Sequence, residues 1–322
     1  MNNLNFINLS KASLCESEEI LIGLKDKKQK KINSKFFYDK EGSKLFDEIT
    51  KLNEYYPTRK ELEILENKKE FFKNLLPEKA SIIEFGSGSN IKIKKLLEAM
   101  KSPKHYIPID ISHEFLLFNA ENIAKNFPYM SVKAVCADYG QINLLKEIIN
   151  QNENIVGFFP GSTIGNYNPE EAKLLLINFS KIIGSKNILI IGVDLRKEKD
   201  VMEKAYNDSE GITAEFNKNI LNGVNRICGN IFDAKLFSHK AFFNEKKSRI
   251  EMHLVSKKKQ IVEILNTKIH LREGETIHTE NSYKYTLSSF KNLAEFSNFE
   301  IVDVLKDKKS FFGVFIMKVK NI

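Results

Sequence analysis

Short β-branched and aromatic runs alternate with helical periodicity through the middle of the chain. The runs at 81–85, 105–111, 131–137, 154–159 and 187–193 are almost continuously apolar, the pattern of strands buried on both faces. Between them, 92–100, 113–126 and 169–183 carry apolar residues at helical spacing, and 144–150 supplies a shorter fourth crossover. The helix at 169–183 has an explicit start: Asn168 as cap, Pro169 at the first position and Glu171 three residues after the cap. Strand and helix repeating in this way predict an α/β fold with a doubly wound parallel sheet.

After the fifth run the rhythm breaks. Residues 196–284 are aromatic and polar, with a helix expected around 213–222 and strands at 249–255 and 260–265. A helical pattern returns at 287–296, followed by strand patterns at 299–305 and 311–319 around a charged turn at 306–309. A five-strand α/β run closed by a helix and a terminal hairpin resembles the Rossmann-like sheet of class I methyltransferases. The expected division is therefore 60–195 with 286–322 as the sheet domain, and 14–59 with 196–285 as a second domain. Residues 1–13 are expected to be a flexible N terminus.

Composition narrows the partners. The 322 residues include 50 Lys+Arg against 42 Asp+Glu, a net charge of +8, and 42% hydrophobic residues, which excludes a disordered or collagen-like chain. The basic excess first suggests nucleic acid or an anionic membrane surface. However, only Arg59, Arg196, Arg226, Arg249 and Arg272 carry the guanidinium fork suited to phosphate and guanine, and the lysines are spread among glutamates. No nucleic-acid partner is expected. Cys15, Cys136 and Cys228 are far apart and form no CxxC pair, which fits a reducing compartment and neither a disulfide framework nor a zinc site. The first twenty residues lack the apolar run of a signal peptide, and the longest apolar stretch, 188–193, is too short to span a bilayer. A cytoplasmic monomer without a membrane partner is expected.

The candidate chemistry lies at the ends of the strands. Residues 84–89, EFGSGS, follow the first strand and precede a helix, where glycines let the backbone approach a cofactor and helix N-terminal amides meet its polar groups. The third glycine of G-x-G-x-x-G is replaced by Ile91, and a tight turn needing positive φ would use the same residues. Asp110 ends the second strand, about 20 residues beyond Gly88, the place of a carboxylate that accepts ribose hydroxyls. That spacing admits NAD as well as S-adenosylmethionine. Lys92, able to reach an anionic carboxylate, and the pair Asp138 and Tyr139, suited to an adenine amino group and face, favour the second. The segment 158–167 leaves the fourth strand at the carboxyl edge of the sheet, and Gly161 and Asn166 within it offer donors for a substrate carboxylate.

Farther on, 277–285 is dense in hydrogen-bonding side chains. It reads as a site lid rather than a core strand, with Glu280 and Ser282 pointing opposite to Thr279 and Asn281. His278 invites a general-base role, but no Ser or Cys nucleophile stands in a recognisable motif with it. His105, His113 and His239 are expected at the surface or at caps, and no histidine, cysteine and acid cluster has the sequence spacing of metal ligands.

These residues resemble the ergothioneine-pathway L-histidine Nα-methyltransferases. The matching blocks are FFYD at 36–39, GSKLFDEIT at 42–50, EYYPTR at 54–59, EFGSGS at 84–89, FPGSTIGN at 159–166 and GVDL at 192–195. AYND at 205–208, SRIEMHL at 248–254 and IHTENSYKY at 277–285 continue the series in the family's order. The resemblance implies an S-adenosylmethionine site lined by Tyr38, Gly86, Lys92, Asp110, Asp138 and Tyr139. It implies that Asn166 and Tyr206, with Gly161, hold the carboxylate of the small-molecule substrate, L-histidine. Tyr55 would lie beside the amino nitrogen, with Tyr56 its competitor, and Glu280 with Ser282 would grip the imidazole next to Met252. On this reading the second domain binds substrate, and three successive transfers give hercynine. Asn53, where many relatives carry proline, departs from the pattern without touching an assigned role. The alternatives are a related enzyme acting on another amino acid, such as a tryptophan derivative, and a nicotinamide oxidoreductase, which the missing third glycine and the terminal hairpin disfavour.

Overall fold

The computed structural model describes residues 3–9, 16–149 and 153–321. The chain divides into two compact units, Met1–Ser10 with Pro57–Arg196 and Lys284–Ile322, and Lys11–Tyr56 with Lys197–Tyr283. The first, the sheet unit, holds strands β1 (Leu4–Asn8), β2 (Ser81–Phe85), β3 (His105–Asp110), β4 (Ser131–Cys136), β5 (Ile155–Phe159), β6 (Ile188–Asp194), β7 (Phe299–Lys306) and β8 (Phe312–Val319). They form one sheet in the order β1-β4-β3-β2-β5-β6-β8-β7. Strands β1 to β6 run parallel, and β8 is antiparallel to both β6 and β7. This is a Rossmann-like α/β sheet closed by a hairpin.

The helices that cross over the sheet, Ile91–Ala99, His113–Asn126 and Pro169–Ile183, bury their apolar faces on it. Phe179 stacks on Phe85 with centroids 3.8 Å apart. Every residue of β2 and β5 is buried, which explains why these strands show no apolar and polar alternation, the polar Ser81 and Glu84 of β2 being buried with the rest. The strand order reverses at β2, so the carboxyl ends of β2 and β5 flank the crevice where ligands of such sheets bind.

The expectation of a flexible N terminus over residues 1–13 is corrected where the structure describes it. Leu4–Asn8 pairs with β4 from Leu4 opposite Val132 to Asn8 opposite Cys136, and the Asn3 amide donates to the Met130 carbonyl at 2.8 Å. The ladder satisfies an otherwise bare sheet edge. Residues 10–13, and Cys15, lie outside the described residues.

At β6 the chain leaves the sheet unit, and it returns beside its point of departure. Leu195 bridges Tyr285; the Tyr285 N–H donates to the Asp194 carbonyl at 3.1 Å and the Arg196 N–H to the Tyr285 carbonyl at 2.8 Å. The Lys284 ammonium lies 2.7 Å from the Asp194 carboxylate, and both side chains are fully buried. Removing one partner would leave an uncompensated charge in the core.

The second unit, here the small unit, packs the helix Ile212–Cys228 on a four-stranded sheet of Lys30–Lys31, Thr276–Tyr283, Arg249–Ser256 and Phe237–Asn244, in that order. Gln260–Ile264 and Thr267–Leu271 form a separate hairpin. Thr276–Tyr283 corrects the lid expectation: it is an interior strand, paired with Arg249–Ser256 on one side and Lys30–Lys31 on the other. Its polar side chains find partners inside the unit, such as Thr279 with Asn217 at 2.6 Å and Tyr283 with Arg249 at 2.8 Å, so polarity did not mark exposure. Among the described residues, no helix is long and apolar enough to cross a membrane.

Candidate active site

In the sheet unit the glycine loop turns directly off β2. Gly86 has φ +73°, and a Cβ there would lie 2.8 Å from the Tyr139 hydroxyl, so both conformation and space require glycine. A Cβ on Gly88 would meet nothing within 4 Å, which leaves open space above the loop. Beneath it, buried Glu84 hydrogen-bonds to the Tyr106 hydroxyl, and Ser87 Oγ lies 3.3 Å from the same hydroxyl. Burial pushes the Glu84 carboxyl up to about 8. Asp110 ends β3 with Oδ1 accepting the Ser112 N–H at 2.8 Å, and burial raises its carboxyl to about 6. Asp138 is exposed, its Oδ1 accepting the Gly140 N–H at 2.6 Å, and Tyr139 is half-buried.

The loop after β5 is fixed by a residue that sequence reasoning missed. Glu61, buried in the helix Tyr56–Asn67, accepts the Gly161 N–H at 3.0 and 2.9 Å and lies 2.7 Å from the Lys92 ammonium. Gly161 takes φ +83° and Ser162 φ +58°. The Ser162 hydroxyl accepts the Asp194 N–H at 2.9 Å, and Asn166 ends the following turn, half-buried. Lys92 is thus already ion-paired within its own unit. The available signal for Glu61 was its place three and four residues before the buried Ile64 and Leu65, on the apolar face of the helix.

In the small unit the candidate residues fall into one aromatic and polar group. Tyr38 packs edge-on to Phe46, Phe46 to Tyr55, and Tyr55 to Tyr206, with centroids 6.1 to 6.2 Å apart. The Tyr206 hydroxyl donates to Ser282 Oγ at 2.8 Å. Glu280 stands opposite Met252 in the strand register and Ser282 two residues on, so the three share one face of the sheet. Tyr55 and Tyr56 separate clearly. Tyr56 receives the Lys197 ammonium at its hydroxyl at 2.6 Å and over its ring at 4.1 Å, whereas Tyr55 joins Tyr206.

His239 corrects its expected surface position: its Nε2–H donates to the Tyr206 carbonyl at 2.8 Å, and Nδ1 lies 2.9 Å from the Asn217 amide. On the opposite face of the sheet, ligand atoms of Glu251, His253 and His278 lie within 4.8 Å of one another. Arg249 already holds Glu251 at 2.6 and 2.8 Å, keeping its carboxyl down at about 2 despite burial. The two imidazoles stack at 4.7 Å with planes 13° apart, so their in-plane lone pairs run side by side instead of converging. This is the geometry of a hydrogen-bonded stack.

The profile of the family described as "Histidine-specific methyltransferase, SAM-dependent" matches residues 16–319. The chain belongs to this family. It is 33% identical over 286 residues to "Histidine N-alpha-methyltransferase" of Mycobacterium tuberculosis, covering 87% of this chain and 88% of that protein. To the protein of the same name from Mycolicibacterium smegmatis it is 35% identical over 263 residues, 80% of each chain. It is 25% identical to "N-methyltransferase imqF" of Aspergillus flavus, over 94% of this chain and 84% of that one. Membership in a family of S-adenosylmethionine-dependent methyltransferases makes S-adenosylmethionine the cofactor. The loop fits it: the space above Gly88 admits a ligand, and the Asp110 carboxylate beside it can accept hydroxyls.

Proposed function

We propose that this family member is an N-methyltransferase acting on an amino acid, and that its substrate is L-histidine, methylated three times at the α-amino nitrogen to give hercynine. The observation that carries the substrate is the common face of Glu280, Ser282 and Met252, with Tyr206 bonded to Ser282 and Tyr55 against Tyr206. A carboxylate and a hydroxyl suit the two nitrogens of an imidazole, and aromatic faces tolerate an ammonium that becomes permanently cationic as methyl groups accumulate.

S-adenosylmethionine, when bound, supplies an electrophilic methyl on a sulfonium. On this reading Gly86, Lys92, Asp110, Asp138, Tyr139 and Tyr38 hold it, Asp110 through the ribose and Lys92 through the carboxylate. Asn166, Gly161 and Tyr206 hold the amino-acid carboxylate. In-line placement of a neutral amine is the main contribution the chain makes, since the electrophile needs no further activation. Because an α-amine is largely protonated at neutral pH, its proton leaves before each transfer, and Tyr55 or a water it holds relays it. Tyr56, engaged by Lys197, is the less suitable relay.

Mass spectrometry after incubating the protein with S-adenosylmethionine and each of the twenty amino acids tests the proposal. Histidine heavier by three methyl groups is the expected product. Methylation of tryptophan with none of histidine would overturn the substrate and favour the alternative within the family.

A further inference from the structure

We propose that His278 is the positioning residue for Glu280: by closing a β-bulge at Thr279, its imidazole fixes the face of the sheet on which the Glu280 carboxylate stands. The inference rests on the reading of Glu280 as the group that selects the imidazole substrate.

In a regular strand, residues 278 and 280 point to the same side. The observed register departs from this. His278 stands opposite His253 and Glu280 opposite Met252, two consecutive residues of the neighbouring strand, which makes Thr279 the extra residue of a bulge. The bulge sends His278 to the side of His253 and delivers Glu280 to the side of Met252. Without it, regular pairing that keeps His278 opposite His253 would turn Glu280 toward the histidines, because a one-residue slip exchanges faces.

Two side chains hold the bulge. The Thr279 hydroxyl donates to Asn217 Oδ1 at 2.6 Å, tying the extra residue to the helix Ile212–Cys228, and lies 3.1 Å from the Met252 carbonyl of the neighbouring strand. The His278 Nε2–H donates to the Glu280 carbonyl at 3.0 Å, bridging the bulge from one side to the other. The carbonyl can only accept, so this bond fixes the His278 tautomer. The ring is held in turn by its stack on His253, whose Nε2–H donates to Glu251 at 3.1 Å. A side-chain bond to the backbone of the substrate-gripping residue gives His278 leverage on Glu280 from the opposite face of the sheet.

Two variants separate the donor from the stack. His278→Phe keeps an aromatic ring against His253 and loses the N–H, whereas His278→Gln restores an N–H donor. His278→Phe should raise the KM for L-histidine about tenfold, the loss expected for one buried hydrogen bond, with a smaller change in kcat and unchanged S-adenosylmethionine affinity by calorimetry. His278→Gln should recover most of the loss. Combined with Glu280→Ala, His278→Phe should add nothing further to KM, whereas a merely structural role would give additive losses. Wild-type KM in His278→Phe, or full additivity, overturns the inference while a raised KM in Glu280→Ala keeps the functional reading. A silent Glu280→Ala removes both. Thermal melting of each variant identifies a folding failure, and if His278→Phe does not fold, the inference requires His278→Gln to fold with near-native KM; a raised KM there overturns it.

Discussion

The glycine loop of the sheet unit and the bulged strand of the small unit place chemical groups by different means. In the loop, backbone conformation does the placing: Gly86 sits at positive φ off the end of β2, and a side chain there would meet Tyr139. In the strand, side-chain hydrogen bonds do the placing, through Tyr206 with Ser282, Thr279 with Asn217 and His278 with the Glu280 carbonyl. The first arrangement fails sterically and all at once. The second loses its function by degrees, because each broken contact leaves the others standing.

Gly86→Val should be the most severe test of that contrast. A β-branched residue at φ +73° with its Cβ 2.8 Å from a hydroxyl should abolish measurable S-adenosylmethionine binding in a calorimetric titration. Native affinity would show that the loop is not built by its backbone. Glu280→Ala comes next: kcat/KM for histidine should fall by the equivalent of about 1.5 to 3 kcal/mol, the value of a hydrogen bond to a charged group, with cofactor affinity unmoved. A parallel fall in cofactor affinity would erase the separation between the two regions.

Acid should act on the loop through Asp110, whose carboxyl burial raises to about 6. A ribose hydroxyl donates to the ionised form, so cofactor affinity should climb as pH rises through about 6, by up to about tenfold per unit below it, and Asp110→Asn should flatten that limb. Stability moves the other way. Folded-state values of about 6 for Asp110 and about 8 for Glu84 lie above those of an unfolded chain, so the contribution of these carboxyls is complete below pH of about 4 and is lost as pH rises through those values. The smallest effect belongs to Gly88→Ala, which should leave the thermal midpoint unchanged and weaken cofactor binding severalfold. Unchanged binding would mean that the space above Gly88 is not used.

The sheet was legible because burial on both faces writes strands as runs of apolar residues without alternation: the run at 188–193 reads directly, and Pro169–Ile183 is framed by its cap. Leu4–Asn8 escaped notice because five mixed residues without flanking turns carry little periodicity, and its pairing with β4 is a long-range fact. Thr276–Tyr283 reads as a lid for a different reason: its polar groups find partners on distant elements, such as Asn217, Arg249 and Tyr206, and hydropathy scores each residue singly. The bulge has no local signature at all, since only the register against Arg249–Ser256 reveals it. Glu61 is one of several glutamates in its helix, and its burial depends on Gly161 and Lys92, both distant in the chain.

The junction of Leu195 with Tyr285 bears on how such a chain can diversify. Because these two residues are bonded neighbours and the Lys284–Asp194 pair locks them, the excursion between them begins and ends at a single point of the sheet unit. Its length is then nearly unconstrained by chain entropy, as doubling a loop adds only about 0.6 kcal/mol to its closure. The excursion can therefore vary in length without a change in β6 or the closing hairpin, provided that Thr276–Tyr283 keeps its pairing with Lys30–Lys31 from the preceding segment.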